Sequence, residues 1–187
     1  MADTSDFRTG LTLIWRDDVW QITDFLHVKP GKGGAFVRTT LRNMRDGRVQ
    51  ENTFRAGEKV ETLRVERRPH QLLYEDEMGL HFMDQETYAQ FAMPREQVSG
   101  LEYLKEGSTI DILFRTDTEE PLTTEIPTHV ELEVAETDPG LRGDTAQGGS
   151  KPATLESGAV IDVPLFVEEG DVVRVNTESG EYITRVT

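Results

Sequence analysis

The segment of this sequence best suited to chemistry is Lys29-Pro30-Gly31-Lys32-Gly33-Gly34-Ala35-Phe36. Pro30 fixes one backbone angle and the three glycines admit positive φ, so Lys32 stands as the single long side chain at the tip of a turn between two extended runs. Strand arms of four or five residues, at about 3.3 Å each, would carry that tip roughly 15 Å beyond the body of a small barrel. A lysine held there is maximally accessible. It is equally what an ordinary solvated hairpin would carry.

Charge along the chain gives the loop a context. Residues 1–69 hold 13 Lys and Arg against 10 Asp and Glu, a net of +3, whereas residues 70–187 hold 7 against 25, a net of −18. Between Asp24 and Asp46 there is no carboxylate, yet Lys29, Lys32, Arg38, Arg42 and Arg45 all fall there. A local cationic patch on an anionic chain points to a polyanion contacted at one place only; a solvated hairpin that happens to be basic is the alternative. The net charge of −15 also fits a chain working at high salt, where screening softens self-repulsion.

Other chemistries are poorly supplied. The chain has no cysteine, which removes disulfides, thiolate metal sites and cysteine nucleophiles. His27, His70, His81 and His129 occur singly, without the spacing of a metal motif, so no metal site is expected. The acidic pairs Glu119-Glu120 and Glu168-Glu169 sit beside Pro121 and Gly170 and read as solvated turns. Residues 143–151 nearly imitate a phosphate-binding loop, but Gly149 stands where its lysine belongs and Pro152 blocks the helix that would follow. No catalytic residue and no cofactor are therefore expected. Apolar runs of only a few residues exclude a membrane-spanning helix, and the acidic start Met1-Ala2-Asp3-Thr4-Ser5-Asp6 is unlike a signal peptide, so the cytoplasm is the expected compartment.

The elements that must position the loop are short strands. Residues 11–15 and 19–22 flank a turn at Asp17-Asp18; residues 36–44 alternate apolar and polar, and Asp46-Gly47 gives a type I′ turn signal before residues 48–54. A second set begins after Pro69 with residues 71–74 and 80–83, and residues 84–91 read as a bent strand or one short helix capped by Asp84. Ile126-Pro127-Thr128 marks a boundary, after which residues 130–136, 159–167, 172–175 and 182–186 alternate around a long loop at 138–151. Three consecutive all-β modules are expected, with boundaries at 1–65, 66–127 and 128–187.

At this point the sequence resembles the bacterial elongation factor P family, relatives of the hypusine-containing eukaryotic and archaeal factor. The resemblance rests on Lys29-Pro-Gly-Lys32-Gly-Gly-Ala-Phe36-Val-Arg38 with Phe54 and Gly57-Glu58-Lys59 downstream. It continues in Gly143-Asp144-Thr145, in residues 148–155 (GGSKPATL), in Val163-Pro164-Leu165-Phe166-Val167, and in Gly180-Glu181-Tyr182 through Arg185. It covers essentially the whole chain.

The resemblance implies an L-shaped, tRNA-like molecule: an SH3-like, KOW-type barrel followed by two oligonucleotide-binding (OB) folds. It implies a monomer that binds the 70S ribosome between the peptidyl-tRNA and exit sites and relieves stalling at consecutive prolines. Lys32, flanked by Pro30, Gly31 and Gly33, matches the tip lysine that points to the peptidyl transferase centre. That lysine carries a β-lysyl or aminopentanol group in some members and is unmodified in others, so a lysine-modifying enzyme is an expected partner. Lys29, Arg38, Tyr182 and Arg185 match contacts to tRNA or ribosome, and Gly143, Asp144 and Thr145 match the loop that approaches the mRNA codon at the exit site. A paralogue of the family, a generic OB-fold RNA binder and a hydrolase built on convergent acids stay open as alternatives. The −18 of the distal two thirds speaks against the RNA binder.

Overall fold

The computed structural model describes residues 1–140 and 149–186. It is all β, with three single-turn 3₁₀ segments at Thr4–Asp6, Arg95–Gln97 and Leu101–Tyr103. Sixteen strands form three antiparallel sheets among the described residues.

The first sheet contains β1 (Ala2–Asp3), β2 (Thr12–Trp15), β3 (Asp18–Val28), β4 (Phe36–Asn43), β5 (Val49–Arg55) and β6 (Lys59–Thr62), in the order β1-β6-β2-β3-β4-β5. Alternation decides which side each residue takes. On β4, Val37, Thr39, Leu41 and Asn43 are buried while Arg38 and Arg42 are exposed, as a strand with one solvated face requires. The inward set meets Leu13, Ile22, Trp20 and Phe54 in a core where Phe7 packs edge-on against Phe54, ring centroids 5.3 Å apart. Each such fully buried large side chain contributes about 1.5–3 kcal/mol.

The second sheet contains β7 (Val65–Asp76), β8 (Gly79–Asp84), β9 (Gln90–Met93), β10 (Thr109–Arg115) and β11 (Pro121–Glu125), ordered β11-β10-β7-β8-β9. The third contains β12 (His129–Thr137), β13 (Ser150–Leu155), β14 (Val160–Pro164), β15 (Val172–Asn176) and β16 (Tyr182–Val186), ordered β14-β13-β12-β15-β16. Numbered within its own sheet, each follows the order fifth-fourth-first-second-third or its reverse, so the two share one topology. In the third, β14 also meets β16, which brings the outer strands together. This is the partly closed five-stranded arrangement of an OB fold.

The chain divides into two compact units, Met1–Arg68 with Ile112–Thr123, and Pro69–Asp111 with Thr124–Thr187. In the first, Leu113 and Leu122 pack with Val19 and Met44. Arg45 binds Asp18 at 3.3 Å and Glu120 at 2.8 Å, and Asn43 Nδ2 donates to Asp18 at 2.7 Å. In the second, Tyr103 joins the core of the third sheet with Leu132, Val134, Val173 and Val175.

Three local expectations change. The turn with two positive-φ residues is Arg16-Asp17, φ 52° and 61°, closing the Trp15↔Asp18 pair. The Asp46-Gly47 turn is instead a four-residue loop between Asn43 and Arg48 in which only Gly47 has positive φ; Asn43 Oδ1 accepts the amides of Arg45 and Asp46 and so stabilises the longer turn. Residues 84–91 are neither helix nor bent strand. β8 ends at Asp84, whose Oδ1 accepts the amides of Glu86 and Thr87, and Tyr88 at φ 60° completes the reversal into β9.

Two predictions follow from this packing. A Cβ on Gly79, at φ 125°, would lie 2.1 Å from the Met93 carbonyl oxygen, whereas one on Gly33, at φ 108°, would meet nothing within 4 Å. Gly79→Ala should therefore cost more than about 2 kcal/mol in urea unfolding, and Gly33→Ala about 1 kcal/mol, from backbone strain alone. The Asp84 carboxyl is held below its ordinary value chiefly by the Thr87 amide, with the Glu86 amide and nearby His70 adding to it. Its folded-state pKa is depressed, so its stabilisation is complete at neutral pH and is lost as pH falls below about 4 through the folded value. Asp84→Asn, which can still accept both amides, should make the loss of stability between about pH 5 and 2 shallower; an unchanged slope would contradict the assignment.

Candidate functional site

The long hairpin of β3 and β4 carries the site. Their register runs from Trp20↔Asn43 to Val28↔Phe36, with a bulge between Ile22 and Asp24 where Thr23 Oγ1 donates to the Thr40 carbonyl. Beyond the bulge, Leu26 is 58% exposed and His27 packs edge-on against Phe25 at 5.6 Å, while Val37 and Thr39 on the facing arm stay buried. Residues 29–34, including Lys29, Pro30, Gly31, Lys32 and Gly33, are all exposed. The return arm is secured where the Ala56 amide donates to the Ala35 carbonyl and the Arg55 amide to Glu58 Oε2. A Cβ would be accommodated in open space at Gly31, Gly33 and Gly34; only Gly33 has the positive φ that a side chain resists.

Pairing fixes the outer face below the tip. Arg38 lies opposite Leu26 on one side and Thr53 on the other; Arg42 lies opposite Val49; Phe36 lies opposite Arg55. Arg38, Arg42 and exposed Arg55 therefore share one face with Asp24 and Glu51. Among the described residues, no ion pair engages Lys29, Lys32, Arg38 or Arg42. Arg45, the fifth cation of the sequence patch, is instead tied to Asp18 and Glu120 and leaves the patch. Arg55 was not singled out by sequence, although it follows from period-2 alternation once the Arg38↔Thr53 register is known.

The third sheet holds the other residues singled out. Half-buried Tyr182 packs against the core and lines an open cleft of about 940 Å³ with Pro164, Leu165, Phe166 and Glu181. The Arg185 guanidinium lies 3.3 Å from Asp171 Oδ2 and 5.5 Å from the ring centroid of Phe166, itself 58% exposed. The Asp171 carboxyl is lowered first by the Glu168 amide and then by Arg185, with the charge of Lys151 adding to both. Gly143, Asp144 and Thr145 lie outside the described residues. Among the described residues no group of His, Asp and Glu is arranged to hold a metal ion. His70 is buried beside Asp84 at 3.6 Å, and His81 stacks on Tyr74 at 4.4 Å with Nε2 2.8 Å from Asp76. Among the described residues no helix is long and apolar enough to cross a membrane.

Three family models match the chain in order: an elongation factor P KOW-like domain over residues 3–60, an elongation factor P OB domain over 65–122, and an elongation factor P C-terminal domain over 130–185. Elongation factor P of Salinibacter ruber is 72% identical over 187 residues, covering 100% of this chain and 97% of that protein. Elongation factor P of Moorella thermoacetica is 54% identical over 186 residues, covering 99% and 100%. Among solved structures, the eukaryotic-type translation initiation factor 5A of Methanococcus jannaschii shares the fold, with a TM-score of 0.53 at 22% identity over 66% of this chain and 92% of that one. Matched along nearly its whole length, by domain models and by full-length relatives alike, the chain belongs to the elongation factor P family.

Proposed function

We propose that this chain acts in the cytoplasm as a monomer on the 70S ribosome, between the peptidyl-tRNA and exit sites. There it stimulates peptide bond formation at consecutive prolines by positioning the peptidyl-tRNA acceptor end. The family membership supports this reading, and the observation that carries it is the exposed Lys32, in no ion pair, at the end of a paired hairpin. In this reading the chain is built of three domains, 1–65, 66–127 and 128–187.

The chemical argument needs no catalytic side chain. Proline has a fixed φ and, as an acceptor, a hindered secondary amine, so a proline donor and acceptor reach attack geometry poorly. Holding the acceptor end in a productive pose recovers rate through orientation alone. Lys32 at the tip supplies a flexible primary amine, as such or extended by a β-lysyl or aminopentanol group that a lysine-modifying enzyme would attach. Lys29 and Arg38, on the same hairpin, carry the charge that meets tRNA phosphate. Tyr182 and Arg185 offer a ring and a guanidinium to the tRNA at the other end of the chain, and Gly143, Asp144 and Thr145 would approach the exit-site codon.

Lys32→Ala should leave the fold and ribosome occupancy near those of the parent, because the hairpin backbone is set by Pro30, Gly33 and the ladder below. In a reconstituted translation assay it should fail to accelerate synthesis through three consecutive prolines. Lys32→Arg, which keeps charge but not the primary amine, should also lose most of the stimulation. Full stimulation by Lys32→Ala would overturn the reading.

A further inference from the structure

One side chain in the core of the third sheet comes from the part of the chain that builds the second. Tyr103 ends the 3₁₀ turn Leu101–Tyr103, between β9 and β10, yet it is buried in a cluster with Leu132, Val134, Val173 and Val175, and half-buried Tyr182 packs against the same cluster. The ring has an apolar body to bury and a polar tip to place. A Cβ on Gly180 would lie 3.2 Å from the Tyr103 hydroxyl oxygen, so that tip stands in close contact with the glycine.

Gly180, at φ 72°, closes the turn between β15 and β16, and its amide donates to the Asn176 carbonyl at 2.8 Å. Asn176 Oδ1 accepts the Glu178 and Ser179 amides within the same turn. Tyr182 opens β16 opposite Val175, and Arg185 follows on that strand opposite Val173. Two more tethers reach the turn from the segment that joins the second and third sheets: the Thr177 amide donates to the Thr128 carbonyl and Thr177 Oγ1 to the Pro127 carbonyl, each at 2.8 Å. The segment carrying Tyr103 is itself anchored at the turn between β13 and β14, where Ser157 Oγ donates to the Glu102 carbonyl at 2.7 Å and Lys105 Nζ meets Glu156 at 2.7 Å.

We propose that Tyr103 is a positioning residue for β16: its ring, held in the core of the third sheet, braces the β15–β16 turn at Gly180 and thereby sets where Tyr182 and Arg185 are presented. The functional half of this proposal rests on the reading above, in which Tyr182 and Arg185 meet tRNA. A braced turn lowers the ordering cost of that contact, so its loss should appear in affinity before it appears in the rate on saturated ribosomes.

The test uses the full chain. Tyr103→Leu keeps an apolar filler that cannot reach Gly180, Tyr103→Phe removes the hydroxyl alone, and Arg185→Ala is the benchmark. Tyr103→Leu should keep the circular dichroism spectrum and melt within about 8 °C of the parent, the cost of a partly emptied core position. Amide exchange at Thr177 and Gly180 should quicken about tenfold, a local opening, while the Val134 amide, which donates to the Asp171 carbonyl, exchanges as in the parent. The factor concentration giving half-maximal rescue of a triple-proline stall should rise about fivefold with the saturated rate unchanged. Tyr103→Phe, with the ring in place, should bring that concentration back to within about twofold of the parent. Gly180→Ala should lower the melting temperature less in the Tyr103→Phe background than in the parent, because backbone strain at φ 72° is common to both and only the parent adds the hydroxyl contact.

Unchanged exchange at both turn amides in Tyr103→Leu, or an equal cost of Gly180→Ala in the two backgrounds, overturns the proposal whatever the translation assay gives. Exchange quickened equally at Val134 would make the tyrosine a general core residue and also overturns it. Local quickening with a normal half-maximal concentration, while Arg185→Ala is impaired, overturns the functional half. If Arg185→Ala is silent, the tRNA reading of β16 fails, and amide exchange with the Gly180 comparison decides for Tyr103. If Tyr103→Leu does not fold, the Gly180 comparison alone decides.

Discussion

The antiparallel register between β3 and β4 is the constraint on which the site depends. Eight pairs from Trp20↔Asn43 to Val28↔Phe36 hold the two arms together, and the core beneath them extends along β4 as far as Val37. Along the ladder Ile22, Leu41 and, opposite His27, Val37 are buried, and they fix which side of each strand faces inward. A slip of one residue would turn Arg38 and Arg42 into the core and Val37 and Leu41 to solvent. Towards the tip the β4 side keeps this penalty through Val37, while Leu26 and His27 on β3 are exposed. The position of Lys32 is therefore inherited from burial several residues away, transmitted by backbone pairing.

The two remaining sheets use the same strand order for different ends. In each, the first strand is central and the chain returns to it after a three-strand meander, so residues far apart in sequence come to one edge. This return brings Arg185 on β16 beside Asp171 just before β15. The contacts of Lys151 with Asp138 and of Arg185 with Asp171 join positions that no local reading of the sequence brings together.

Much of the strand pattern was legible because alternation is a direct record of a one-sided strand, as in residues 36–43 and 130–136. The exposed Lys32 loop was legible for a related reason: proline and glycines between two alternating runs leave little else for the chain to do. Arg45 was misjudged because its partners, Asp18 and Glu120, become neighbours only through tertiary folding. The reversal at residues 84–88 was missed because Asp84 had two uses, as a helix cap or as an acceptor in a tight turn, and the choice depends on where Phe91 must pair. Lys151 was set aside with a failed phosphate-loop pattern, since nothing in sequence distinguishes a lysine turned inward from one in water.

The removal of Arg45 from the cationic face has a thermodynamic consequence for any nucleic acid laid along it. Each phosphate met by a protein cation releases condensed counterions, so salt weakens such a complex with an exponent set by the number of cations free to take part. An arginine already neutralised by Asp18 and Glu120 brings no new release. The exponent for this face is thus bounded by Lys29, Lys32, Arg38, Arg42 and Arg55, less what Asp24 and Glu51 offset. A binding surface so sparsely charged stays weak on free nucleic acid, and its grip depends on a partner that already presents phosphates at the right places.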